Sequence, residues 1–203
     1  ILRATRTPRH PDLGDLASAR AAVAFARGDF PTADRELDQV IDIYREALGP
    51  DDFYLAKVTT DRGWVAIALQ QIEAARRDFA AADAVLQGNP ELAALRQSSL
   101  RGLAVVTGSR GRHQAALAWL DQVSVAACSP ETLANYHLWR AVLHWRLGDA
   151  ARAREHLIPG RAAVAEAGRT GELAAMHVTA AELAAIEASG SEQQRNRHRS
   201  EDK

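Results

Sequence analysis

Two histidines, one cysteine, a pair of adjacent aspartates and one glycine-containing loop are the places where this sequence could do chemistry. His137 and His144 lie seven residues apart. On a helix they share a face, but two turns hold them about 10 Å from each other, too far to share one metal ion. The spacing therefore predicts that each packs or faces solvent. Cys128 precedes a helix start at Ser129-Pro130, where the helix dipole would favour a thiolate. No motif ties a histidine to it, so an inert thiol is expected. The stretch Thr107-Gly108-Ser109-Arg110-Gly111-Arg112 lacks the lysine and the preceding strand of a phosphate loop. Asp51-Asp52 reads as a connector rather than an acid–base dyad. No nucleophile, metal set or cofactor motif emerges, and the expectation is a protein that is not an enzyme and carries neither metal nor cofactor.

The elements that would position such residues are helical. The chain has 203 residues, of which 47% are hydrophobic and only 5% aromatic. Alanine dominates, and alanine has the best helix propensity with almost no side-chain entropy to lose. The formal net charge is −1, so nothing draws the chain as a whole to nucleic acid or to an anionic membrane. The cluster Arg195, Arg197, His198 and Arg199 is diluted by Glu192, Glu201 and Asp202 and reads as a solvated terminus. No apolar run is long enough to span a bilayer, and no signal peptide is visible. A single cysteine permits no disulfide within the chain, which suits a reducing, cytoplasmic setting.

Internal repetition organises the rest. Helix–turn–helix units are predicted at Leu16–Arg27 with Thr32–Leu48, Tyr54–Gln70 with Glu73–Leu86, Pro90–Thr107 with Arg112–Val123, and Pro130–Leu147 with Ala150–Ala167. Gly28, Gly111 and Gly148 stand where a helix must stop and reverse, and Pro31 and Pro130 fit first-turn positions. An amphipathic segment, Gly171–Ser189, reads as a capping helix. Residues 190–203 have no apolar periodicity and are expected to be a disordered tail. Residues 1–13 read as the stub and connector of a preceding repeat, leaving 14–189 as the repeat domain.

This pattern resembles the tetratricopeptide repeat family. The first pair supplies Ala21, Gly28, Phe30, Ala33, Leu37 and Val40, and the second Gly63, Gln70, Ile72, Ala75, Phe79 and Ala82. The third supplies Ala104, Gly111, His113, Ala116, Leu120 and Val123, and the fourth Ala141, Gly148, Ala150, Ala153, Leu157 and Gly160. Gly28 and Gln70 are 42 residues apart rather than the usual ~34. The connector Leu48-Gly49-Pro50-Asp51-Asp52-Phe53-Tyr54-Leu55-Ala56 is similar to that of the long repeats of kinesin light chains and many bacterial regulators. Arg9-His10-Pro11-Asp12-Leu13-Gly14 repeats it, which leads to the expectation that the chain is the C-terminal part of a longer array or multidomain protein. The resemblance implies an all-α, right-handed superhelical array of about four antiparallel helix pairs plus a capping helix.

In such an array the first helices line a concave face, the default ligand surface. Helical spacing assigns to it Lys57, Thr60, Asp61 and Trp64, then Arg101 and Val105, then Asn135, Leu138, Trp139, Val142, Trp145 and Arg146. Tryptophan and arginine are enriched at binding hot spots. On this reading Trp139 and Trp145 could both become alanine with little loss of helix. The carboxylate-clamp pattern of some family members is absent, so a hydrophobic or helical segment of a protein partner is the expected ligand. The implied function is a protein-interaction scaffold. The alternative is a peptide- or ligand-sensing regulatory domain at the C-terminus of a bacterial Ser/Thr kinase or transcriptional regulator. Self-association of the fragment through its N-terminal face is a further expectation.

Overall fold

The computed structural model describes residues 11–168 and 178–201. Among these there are nine α-helices and no strand: α1 (Pro11–Ala26), α2 (Phe30–Leu48), α3 (Phe53–Ala68), α4 (Ile72–Leu86), α5 (Ala93–Gly108), α6 (His113–Leu120), α7 (Pro130–Arg146), α8 (Ala150–Ala167) and α9 (Ala180–Glu201). Single 3₁₀ turns at Pro90–Leu92 and Val125–Ala127 lead into α5 and α7. The chain divides into two compact units, Ile1–Val106 and Thr107–Lys203.

Four helices, α2, α3, α7 and α8, start where a side chain satisfies a free backbone N–H. Asp29 accepts from the Thr32 N–H, Asp52 from Tyr54, Ser129 from Thr132 and Asp149 from Arg152. Such caps are worth about 1 kcal/mol each. The turns between paired helices need a left-handed residue. Gly28, Gly111 and Gly148 supply it with φ of 78°, 77° and 82°, while at the equivalent place in the second pair Gln70 adopts φ 60°. An L-residue there carries a steric penalty that glycine avoids. Gln70→Gly should therefore raise the stability of the first unit by about 1 kcal/mol, read as a higher urea midpoint at unchanged slope.

In the first unit α1 packs on α2, α2 on α3 and α3 on α4. In the second, α6 packs on α7, α7 on α8, and α9 on both α7 and α8. Away from the turns, the positions that carry the repeat pattern are interior. Ala33, Leu37, Val40, Ala75, Phe79, Ala82, Ala116, Leu120, Ala153 and Leu157 are all buried. The packing rule is small against large. A Cβ placed on Gly63 of α3 or on Gly102 of α5 would lie 2.7 or 2.4 Å from the Phe79 ring of α4. The ring thus presses on two helix backbones at once.

Several borders differ from the sequence reading. Helix α1 already begins at Pro11, so Pro11–Gly14 is helix rather than connector, proline fitting the first helical position. Residues 1–10 of the expected stub lie outside the described residues, as do 169–177, which include the start of the expected capping helix. Helix α9 begins at Ala180 and continues through Glu201, into the stretch expected to be disordered. The extension Gln193-Gln194-Arg195-Asn196-Arg197 is largely built of good helix formers, and lengthening an existing helix avoids the cost of a new nucleus.

Candidate functional site

The paired helices place residues eight before and eight after the turn opposite each other. In the first pair Arg20 donates from Nε to Glu36 at 2.8 Å. In the second, Arg62 grips Asp78 with Nε at 2.9 Å and Nη2 at 2.6 Å, and reaches back with Nη1 to Asp38 of α2 at 2.6 Å. Both clasps join residues 16 apart. Arg96 of α5 ties to Asp83 of α4 at 2.6 Å.

The fourth pair keeps the arginine and changes its partner. Arg140 donates from Nε to His156 Nε2 at 3.3 Å and from Nη1 to Asp121 at 2.7 Å. A guanidinium only donates, so the neutral His156 ring carries its proton on Nδ1 and donates a hydrogen bond to Nδ1 of His137, 3.1 Å away. The ring of His144 stacks on His156 at 5.7 Å between centroids, with the planes 3° apart. His137 and His144 are thus joined through a third histidine from α8, which the reading of one helix alone missed. The signal was present in the sequence: Arg140 and His156 repeat the 16-residue spacing of Arg20–Glu36 and Arg62–Asp78. Arg140 beside the rings disfavours a cation, and among the described residues no group of three or more histidines, cysteines or acids is placed to hold a metal.

Burial, then Arg140, holds all three rings below the usual imidazole range, with His156 pushed down to about 4. Other charges near the cluster are Asp149, Arg152 and Asp121. Folding thus favours the neutral rings. Their contribution is complete above pH 6.5 and declines as pH falls toward 4, because the unfolded chain binds protons first. His156 alone should cost the second unit about 2 kcal/mol between pH 7.5 and pH 5. His156→Gln should flatten that part of the stability profile in urea titrations; a profile identical to wild type would refute the assignment.

The residues expected to line a ligand face divide in two. Lys57 is exposed and bonds Asp61 at 2.9 Å one turn on. Burial raises the Asp61 carboxyl and Lys57 opposes that rise. Trp64 is half-buried, donates from Nε1 to Ser98 at 2.9 Å, and carries the Arg101 guanidinium 5.5 Å over its ring. Trp145 is half-buried, and Arg146 is tied to Glu182 of α9 at 2.7 Å. Thr60, Arg101, Val105, Asn135, Leu138, Trp139 and Val142 are instead buried. Thr60 turns inward to bond its own helix at Ala56 O, 3.0 Å away. Leu138 and Trp139 sink into space left by Gly160 and Gly108, whose added Cβ atoms would each lie 2.7 Å from them. Glycines on neighbouring helices thus turned two expected surface residues into core.

Comparison with known proteins agrees with this architecture. One tetratricopeptide repeat family model matches residues 14–54 and another matches 97–122 and 134–157. No curated relative matches the chain. Among solved structures, a kinesin-light-chain-type protein with nearly identical TPR-like repeats from Podosopora anserina is 21% identical with a TM-score of 0.60, covering 82% of each chain. Aspartyl phosphate phosphatase F from Bacillus subtilis is 16% identical with a TM-score of 0.64, over 90% of this chain and 49% of that one. BtubC from P. vanneervenii is 18% identical with a TM-score of 0.59, over 78% of this chain and 66% of that one. At these identities the likeness is one of fold.

Proposed function

Because this chain belongs to the tetratricopeptide repeat family, we propose that it is a scaffold that binds a peptide or helical segment of a partner protein along the first helices of its pairs. The observation that carries this reading is the patch on the first unit made by Lys57, Asp61 and Trp64, with the guanidinium of the buried Arg101 over the tryptophan ring. Lys57, Asp61 and Trp64 follow one another at helical spacing along a stripe of α3. Arg101 comes from α5, the next first helix, and fixes the tryptophan by stacking. A rigid aromatic with a charged rim is the composition of a binding hot spot. No described helix is long and apolar enough to cross a membrane.

The test is selection of peptides from a displayed library on the wild-type chain, followed by binding of the selected peptides to variants. Lys57→Glu changes an exposed residue that bonds Asp61 on its own helix, so the fold is unaffected and circular dichroism stays as in wild type. Binding should fall at least tenfold. Peptides that bind Lys57→Glu and wild type alike would overturn the placement of the site.

A further inference from the structure

Histidine is distributed unevenly along the chain. None occurs from residue 11 to residue 106, whereas residues 107–203 contain His113, His137, His144, His156, His177 and His198. Three of these, His137 and His144 of α7 and His156 of α8, form the cluster described above, and their arrangement holds only while the rings are neutral. The two Nδ1 atoms of His137 and His156 are 3.1 Å apart, so one must accept the proton of the other. With a proton on each, two N–H groups and two positive charges would meet head-on. Nε2 of His156 accepts from Nε of Arg140 at 3.3 Å, and a protonated ring has no lone pair left to accept with. The His144 ring lies flat on His156, so a charge on either ring opposes a charge on the other. Among the described residues the groups facing the rings are Tyr136 and Arg140 of α7, Asp121 at the end of α6, Asp149 in the turn and Arg152 of α8. Asp121 is already bound to Arg140, and Asp149 caps α8. The acids of α9, which packs on both helices, are held elsewhere, Glu182 by Arg146 and Glu187 by Arg161.

We infer that the three rings form a proton-operated latch on the α7–α8 hairpin: neutral rings hold α8 on α7, and mild acid parts the two helices while the first unit stays folded. The bond of Arg140 to Asp121 involves no ring and survives, so α7 keeps its tie to α6. Parting uncovers Leu138 of α7 and Leu157 of α8, which the closed hairpin buries, and frees the close contact of Gly160 with Leu138. The first unit responds in the opposite sense. Burial raises the carboxyls of Asp34 and Asp61 there, so they bind protons more readily folded than unfolded and mild acid favours that fold. The latch is independent of the peptide patch of Lys57 and Trp64, which lies on the first unit.

Hydrogen exchange resolved by residue on the 203-residue chain, at pH 7.5 and at pH 5, is the test. Protection factors in α8 should fall about thirtyfold, the change that follows from one ring pushed down to about 4. Those in α2, α3 and α4 should change less than about twofold. A dye that lights up on apolar surface should brighten over the same interval. In His156→Gln the amide still accepts from Arg140 and donates to His137 but takes up no proton, so most of the pH dependence should vanish. Should that variant not fold, ring-proton NMR of the wild-type chain decides: His156 should titrate below the ordinary imidazole value, in step with the loss of α8 protection. Equal loss of protection in both units, α8 protection unchanged at pH 5, or the same pH dependence in His156→Gln would each overturn the latch. So would rings that titrate at their ordinary value while the α8 amides stay protected.

Discussion

Trp139→Ala should destabilise the second unit by about 3–5 kcal/mol, the range for removing a fully buried large aromatic. The indole is 1% exposed. Its six-membered ring lies against Gly108 on one side, and Arg146 stands over it with its guanidinium 5.2 Å away. Truncation leaves a cavity that helices α5 and α7 cannot close, because Ala116 and Leu143 also border Gly108 and already hold that contact. Urea unfolding followed by circular dichroism should show the second unit melting early, with the first unit's transition unmoved. Trp145→Ala serves as the comparison. It is only half-buried and should cost about 1 kcal/mol. Equal losses at the two positions would show that ring burial is not what distinguishes them.

The counterpart in the first unit is Phe79→Ala, again expected to cost about 3–5 kcal/mol. Phe79 is fully buried and meets the edge of Trp64 at 5.2 Å between ring centroids, so its loss also frees the tryptophan of the proposed binding patch. The complementary change is Gly102→Ala. Its added methyl would start 2.4 Å from the Phe79 ring and should cost about 1–3 kcal/mol by overpacking. Combining Gly102→Ala with Phe79→Leu should recover part of the loss, because the smaller side chain vacates the space the methyl needs. If the double change is simply additive, the two positions do not share that space.

The helices were legible in the sequence because their signals are local. Glycines at positive φ and Ser, Asp or Pro at helix starts act within one turn of chain, and the pairs fall where those residues place them. The candidate site was less legible. Which face of a first helix is open depends on how deeply it nests against its neighbours, and that is set by residues on other helices. Gly108 and Gly160 admit Trp139 and Leu138 into the interior, and helical spacing within α7 carries no trace of either glycine. His156 was overlooked for the same reason. It joins His137 only across the turn, and a reading confined to one helix measures the wrong distance. Helix α9 runs past its expected end because apolar periodicity marks only the packed part of a helix, whereas propensity alone extends a helix already begun.

Arg62 has a consequence for how the first unit comes apart. The residue belongs to two hairpins at once, through Asp78 in its own and Asp38 in the one before. Peeling away either hairpin strands part of a guanidinium that the other still encloses, so partial unravelling is penalised from both directions. The two hairpins should consequently behave as a single cooperative block rather than as beads released one by one, with their slowest-exchanging amides opening together.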